Sequence, residues 1–89
     1  MVSKIKEKGN KAEFIALDEL KKKYEYCIRV PMSLMPFDIL CVDTNKNEII
    51  FVEIKGRKSS LSRYQLQFKA LIEKLNNPKV SYIVFRVVQ

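Results

Sequence analysis

Residues 36–55 read PFDILCVDTNKNEIIFVEIK, which is two apolar runs separated by a polar turn. The runs 37–43 and 49–55 are rich in the β-branched and aromatic residues that favour strands, and residues 44–47 are typical of a turn. The stretch therefore predicts a β-hairpin. With the turn centred between Asn45 and Lys46, residues whose numbers add to 91 face each other, which places Asp38 opposite Glu53.

Alternation along the second run divides its side chains into two sets, Ile50, Val52 and Ile54 on one face and Phe51, Glu53 and Lys55 on the other. Glu53 and Lys55 therefore share a face with Asp38. Two opposed carboxylates repel each other, and a divalent cation with oxygen ligands, such as Mg²⁺, relieves that repulsion. The alternative is a solvated face on which Lys55 pairs with the acids as a surface salt bridge. A register slip of one residue would place Asp38 and Glu53 on opposite faces.

The remaining segments predict a helix at about 4–24, a short strand at 26–30, a second helix at 61–75 and a final strand at 80–88. One stripe of the first helix is formed by Glu13, Leu17, Leu20 and Tyr24, widened by Phe14 and Ile15. The apolar stripe of the second helix is formed by Leu61, Tyr64, Phe68, Leu71, Ile72 and Leu75. The predicted order is α-β-β-β-α-β. The strand–helix–strand unit at the end requires a parallel pair, so the expected fold is α/β with a mixed sheet and helices packed on it.

The charge of the chain favours a polyanionic partner. Seventeen Lys and Arg oppose ten Asp and Glu, which gives a formal net charge of +7 over 89 residues. Nucleic acid is the usual partner for such a balance, and a solvated lysine face is the alternative. The chain contains no histidine, which excludes Ser-His-Asp triads, Cys-His pairs and histidine-based metal sites.

The two cysteines, Cys27 and Cys41, have no zinc-binding spacing, and both lie in apolar runs. They are therefore interpreted as buried free thiols. The first ten residues are polar and charged, unlike a signal peptide, and no apolar stretch is long enough to cross a membrane. An intracellular protein without a membrane association is expected.

The runs Pro36-Phe37-Asp38 and Val52-Glu53-Ile54-Lys55 resemble the PD…(D/E)XK motif of a large nuclease superfamily, with Phe37 inserted between the proline and the aspartate. More closely, the chain resembles archaeal-type Holliday junction resolvases, although it is short for one. An acid follows a glycine in the first helix, as Gly9 and Glu13 do here, and a serine, Ser33, precedes the motif aspartate. The resemblance covers residues 9–85. It implies a restriction-endonuclease-like core in which a mixed central sheet is flanked by helices.

The resemblance also implies roles for single residues. Asp38 and Glu53 would ligate one or two Mg²⁺ ions, for which Mn²⁺ could substitute. The carbonyl of Ile54 would be a further ligand, and Glu13 would ligate directly or through water. Lys55 would position the attacking water and stabilise charge on the phosphate, and Gln65 would orient that lysine or the water. Contacts to DNA phosphates would come from Ser33, Arg57, Lys58 and Arg63.

Several of these residues have a purely structural alternative. Glu13 could lie on the exposed edge of the first helix, and Ser33 could only shape its loop. Gln65 lies three residues after Ser62, the spacing of a capping box, so it could cap the second helix instead. Arg57 and Lys58 could belong to a solvated loop.

The expected function is a metal-dependent DNA endonuclease that cuts branched DNA as a homodimer, with Val84 or Val88 of the final strand at the dimer contact. The alternatives are a nickase or restriction-type nuclease on duplex DNA and a DNA-binding module without catalysis. An RNA-binding protein is disfavoured, because Tyr24, Tyr26, Tyr64 and Tyr82 are spread over separate elements and form no stacking platform.

Overall fold

The predicted hairpin is the centre of the fold. In the computed structural model, which describes residues 4–30, 35–56 and 58–86 and side chains only from residue 11 onward, β2 is Ile39–Asp43 and β3 is Glu48–Lys55. Ile39 pairs with Val52 and Asp43 with Glu48, so the predicted register is confirmed. The turn closes at Asn47, whose φ of 53° lies in the left-handed region that asparagine tolerates.

Two further strands complete a four-stranded mixed sheet of order β1-β2-β3-β4. The strand β1, Tyr26–Arg29, runs antiparallel to β2, and β4, Lys79–Arg86, runs parallel to β3. The helix α1 is Lys4–Lys23, and α2, Arg63–Ile72, forms the crossover between β3 and β4. The predicted α/β class and the order α-β-β-β-α-β are confirmed. None of the described helices combines the length and the apolar character needed to cross a membrane.

Helix α1 packs on one face of the sheet. The core on this side consists of Ala16, Leu20, Cys27, Ile39, Cys41, Ile50 and Val52, with Ile83 and Phe85 packed against it. The predicted widening of the α1 stripe by Phe14 and Ile15 is wrong, because both side chains are exposed. Ala12 and Ala16 face the sheet instead, since small side chains let the helix backbone approach the strands closely.

Helix α2 packs on the opposite face, where its Phe68 contacts three aromatic rings, Phe37, Phe51 and Tyr82. The predicted apolar stripe of α2 is partly wrong, because Tyr64, Leu71 and Leu75 are exposed. The helix lies beside β3 and β4, and within the described residues no helix covers β1 and β2 on this face, where Tyr26 and Ile28 are exposed. Only a narrow stripe of α2 therefore meets the sheet.

The predicted free thiols are wrong, because Cys27 and Cys41 form a disulfide. The two residues are direct partners in the β1–β2 register, with Cα atoms 4.1 Å apart, and both side chains point to the α1 face. Directly opposed residues on neighbouring strands bring their Cβ atoms together. The pairing follows from the register of β1, which the spacing of the cysteines along the chain does not reveal.

Candidate active site

Asp38 lies immediately before β2 rather than within it, which corrects the predicted strand 37–43. Its main chain is nevertheless hydrogen-bonded on both sides, to β3 and to Val30, the residue that follows β1. The Asp38 amide donates to the Val52 carbonyl at 2.8 Å, and its carbonyl accepts from the Val30 amide at 2.8 Å. Its side chain accepts from the Ile54 amide, also at 2.8 Å. Asp38 is thereby held against β3 just before β2 begins.

Glu53 is a carboxyl group buried in the α2 face of the sheet, with only 7% of the residue exposed. Continuing the β2–β3 register by one residue from the Ile39–Val52 pair places it opposite Asp38, as the sequence predicts. Burial raises the pKa of Glu53 to about 7, and the hydrogen bond to Asp38 and the charge of Asp38 raise it too, while Gln65 and Lys55 act in the opposite direction. Without a cation, burial and the neighbouring Asp38 therefore favour the protonated form of Glu53 below about pH 7.

Lys55 places a positive charge beside this carboxyl pair. Its Nζ lies 3.5 Å from Oε2 of Glu53, and about a fifth of the side chain is exposed, so the ammonium group remains in contact with solvent. Glu53 and Lys55 are two residues apart on β3 and thus point to the same face. Asp38, Glu53 and Lys55 are brought together as the sequence predicts.

Gln65 caps the second helix, which is one of the two roles that the sequence left open, and it also contacts Glu53. The main-chain amide of Gln65 donates to Oγ of Ser62 at 3.2 Å, and the side-chain Oε1 of Gln65 accepts from the main-chain amide of Ser62 at 2.9 Å. The two bonds form a complete capping box at the start of α2. The Nε2 of Gln65 donates to Oε2 of Glu53. The contact is to Glu53 rather than to Lys55, so the side chain orients a carboxylate.

Glu13 is not part of this cluster. Its Oε2 pairs with Nη1 of Arg29 at 2.8 Å, and the Arg29 guanidinium also lies over the Phe14 ring. Arg29 follows Cys27 by two positions on β1 and so points to the α1 face, whereas Glu53 faces α2. Among the residues from 11 to 86 whose side chains the structure describes, no three acidic, Cys or His side chains are grouped to hold a metal. The predicted ligation by Glu13 is not formed in this arrangement.

The groups that remain still fit a magnesium ion. Asp38 and Glu53 supply two adjacent carboxylates, and Mg²⁺ is typically held by one or two carboxylates together with water and substrate phosphate. The main-chain carbonyl of Val52 and the main-chain amide of Ile54 both bond to Asp38, so the main-chain groups of these two residues point toward β2. The Ile54 carbonyl is therefore directed to the same side as the carboxyl pair, since the amide and carbonyl of one strand residue face the same neighbour.

The predicted phosphate-binding residues are only partly described. Lys58 and Arg63 are exposed, Lys58 in the loop after β3 and Arg63 at the start of α2. Ser33 and Arg57 lie outside the described residues. The described part of this loop is fastened by Arg86, whose Nη1 donates to the carbonyls of Gly56 and Ser59.

Sequence reasoning missed Tyr82 and Arg86 as neighbours of the site. Both lie on β4 and face the α2 side, Tyr82 beside Phe51 and Arg86 beside Lys55 in the parallel register. The available signal was the alternation of the final strand, which separates Tyr82, Val84 and Arg86 from Ile83 and Phe85. The alignment of β4 against β3, set by the crossover, was needed to place them at the carboxylates.

Comparisons of the chain with models of protein families, with curated proteins and with solved structures find no match. The function must therefore be inferred from the residues and contacts of the site.

Proposed function

We propose that this chain is a metal-dependent DNA endonuclease in which Asp38, Glu53 and Lys55 carry out the hydrolysis of a phosphodiester bond. The observation that carries the proposal is that the buried Glu53 lies opposite Asp38 in the β2–β3 register, with the Lys55 ammonium 3.5 Å from Glu53. Two carboxylates held together at the end of apolar strands are unfavourable unless a cation or a proton occupies the space between them. A restriction-endonuclease-like arrangement of the core is part of this proposal.

Asp38, Glu53 and the Ile54 carbonyl would hold Mg²⁺, and Mn²⁺ could replace it. The chemistry that the ion supplies when bound is neutralisation of phosphate charge and a lower pKa for water. Lys55 would orient the attacking water and stabilise the charge that develops on the phosphate. Gln65 would keep the Glu53 carboxylate directed toward Asp38.

DNA is the proposed partner because the chain carries a net charge of +7 and the exposed Lys58 and Arg63 lie in the segment that follows Lys55. Lys58 and Arg63 would contact phosphates, as would Ser33 and Arg57. Such contacts release counterions, so the affinity for DNA should fall steeply with salt, with a log–log slope of about −0.9 per phosphate contacted. A flat salt response would exclude nucleic acid as the partner. An intracellular location belongs to this proposal.

The direct test is cleavage of linear, nicked and four-way DNA by the wild type and by Asp38→Asn, Glu53→Gln and Lys55→Met. We expect Mg²⁺-dependent cleavage that either acid variant abolishes and that Lys55→Met slows by at least ~10²-fold, the scale for losing one transition-state donor. Binding to DNA should be kept, because removing an acid lowers repulsion toward phosphate. The matched control is Glu48→Gln, which removes an acid from the same strand away from the carboxyl pair.

A near wild-type rate in either acid variant would overturn the catalytic assignment. Ca²⁺ should support binding with little cutting, because its looser coordination holds water poorly. Preference for the four-way substrate would support a resolvase, and equal cutting of linear duplex would support a nickase or restriction-type enzyme. Binding without cutting in Mg²⁺ and Mn²⁺ would identify a DNA-binding module.

A homodimer is the second part of the resolvase proposal, because symmetric cutting of two strands needs two sites related by a twofold axis. Val84 is half-buried on the α2 side, and Val88 lies outside the described residues. Among the described residues, the most exposed large apolar side chains are instead Phe14, Tyr26, Tyr64, Leu66, Leu71 and Leu75. Sedimentation equilibrium at micromolar concentration is the test. A strict monomer would defeat the resolvase assignment and leave the nuclease assignment standing.

A further inference from the structure

Tyr82 has a buried hydroxyl group close to the candidate site. The residue is 2% exposed, and its ring packs edge-on against Phe68 with centroids 5.9 Å apart. Its hydroxyl donates to the carbonyl of Pro36. Burial raises the pKa of Tyr82, and the charges of Glu53 and Asp38 raise it as well. The hydroxyl therefore keeps its proton and remains a donor at any working pH.

The acceptor of this bond lies two residues before Asp38. Pro36 has no amide hydrogen, so its carbonyl is the one main-chain group through which it can be fastened by a hydrogen bond. Phe37, between them, is buried and packs against Phe51 and Phe68. Tyr82 and the aromatic cluster thus hold the segment 36–37 from the β4 side, while Val30 and Val52 hold the main chain of Asp38.

We propose that Tyr82 is a positioning residue for Asp38: its hydroxyl bond to Pro36 fixes the segment from which the Asp38 carboxylate reaches the metal. The proposal rests on the metal-dependent function given above. Asp38 lies outside β2, so its position depends on the chain that leads into it. Mg²⁺ requires near-ideal octahedral geometry, which makes its affinity sensitive to small displacements of a ligand.

The test uses Tyr82→Phe, which removes the hydroxyl and keeps the ring. The control is Tyr26→Phe, an exposed tyrosine on β1 outside the site. In Tyr82→Phe we expect the Mg²⁺ concentration for half-maximal cleavage to rise about 10-fold, the lower end for losing an outer-shell partner of a metal ligand. We expect kcat to fall while KM for DNA stays unchanged, because no DNA contact is removed.

Two readouts do not depend on cleavage. The rise in unfolding temperature on adding Mn²⁺ should be smaller in Tyr82→Phe than in the wild type and in Tyr26→Phe. The amide proton resonance of Ile54, which bonds to the Asp38 carboxylate, should shift in metal-free Tyr82→Phe and not in the control. If Tyr82 has a purely structural role, Tyr82→Phe will lower the unfolding temperature but leave kcat and the Mg²⁺ concentration for half-maximal cleavage unchanged. That result would overturn the proposal.

A measurement on the unaltered chain covers the case in which Tyr82→Phe does not fold. The Tyr82 hydroxyl proton should be in slow exchange and should shift when Mg²⁺ is added, since both carboxyl groups that affect it would bind the ion. A hydroxyl proton that is insensitive to Mg²⁺ would overturn the proposal. If the wild type itself shows neither a Mn²⁺-induced rise in unfolding temperature nor cleavage, the proposed function fails instead.

Discussion

At the scale of single residues, the proton on Glu53 makes the stability of the metal-free chain depend on pH. The folded pKa of about 7 lies above the ordinary value of 4.5, so the folded chain binds this proton more tightly than the unfolded chain. The stability so gained is complete below about pH 4.5 and is lost as pH rises through 7. Each pKa unit corresponds to about 1.4 kcal/mol, which is several degrees of unfolding temperature in a domain of this size.

The measurement is thermal unfolding in EDTA between about pH 5 and 8, with Glu53→Gln as the comparison. We expect the unfolding temperature of the wild type to fall across this range relative to the variant, because the amide cannot ionise. Parallel curves for the two proteins would contradict the raised pKa. Adding Mg²⁺ should weaken the fall, since the cation stabilises the ionised pair.

The two roles of Gln65 can be separated by matched substitutions. Ser62→Ala removes the cap and keeps the Gln65–Glu53 bond, so it should lower the free energy of unfolding by about 1 kcal/mol and leave the cleavage rate intact. Gln65→Glu keeps a capping-box residue and replaces the donor to Glu53 by a carboxylate, so it should weaken Mg²⁺-dependent cleavage more than it lowers stability. Denaturant unfolding and cleavage assays on both variants measure this. Equal loss of stability and activity in both would mean that Gln65 acts only as a cap.

At the scale of elements, Arg86 joins the end of β4 to the basic loop that follows Lys55. Arg86→Met should loosen this loop, because it removes the bond to the Gly56 carbonyl. DNA binding should weaken by about 3-fold more than the loss of one surface charge explains. A change of about 3-fold corresponds to less than the net free energy of one hydrogen bond. The control is Lys79→Met, which removes the same charge from the opposite end of the strand. Affinities of both variants at one salt concentration measure the difference. Equal losses would show that Arg86 contributes only its charge.

At the scale of the whole molecule, the disulfide compensates for a small core. Cys27 and Cys41 are 14 residues apart, and closing a loop of this length stabilises a chain by about 3 kcal/mol in the loop-entropy treatment. Reduction should therefore lower the unfolding temperature markedly in a domain of 89 residues. The control is the double variant Cys27→Ala and Cys41→Ala, whose unfolding should be insensitive to reductant. An unchanged unfolding temperature after complete reduction would contradict this prediction.

The sequence by itself determined the hairpin, its register and the meeting of Asp38, Glu53 and Lys55. Strand alternation and a short polar turn are local, so Asp43 could be paired with Glu48 and Asp38 with Glu53 from residue numbers alone. The order of helices and strands followed from periodicity for the same reason.

The tertiary structure alone decided which helix face is buried, how the cysteines pair and what surrounds the carboxylates. Leu71 is exposed although it lies on the apolar stripe, because α2 covers only one side of its sheet face. Glu13 binds Arg29 instead of joining Asp38, and Tyr82 reaches Pro36 across 46 residues of chain. Contacts of this kind depend on how elements distant in sequence pack together, and no local pattern encodes that packing.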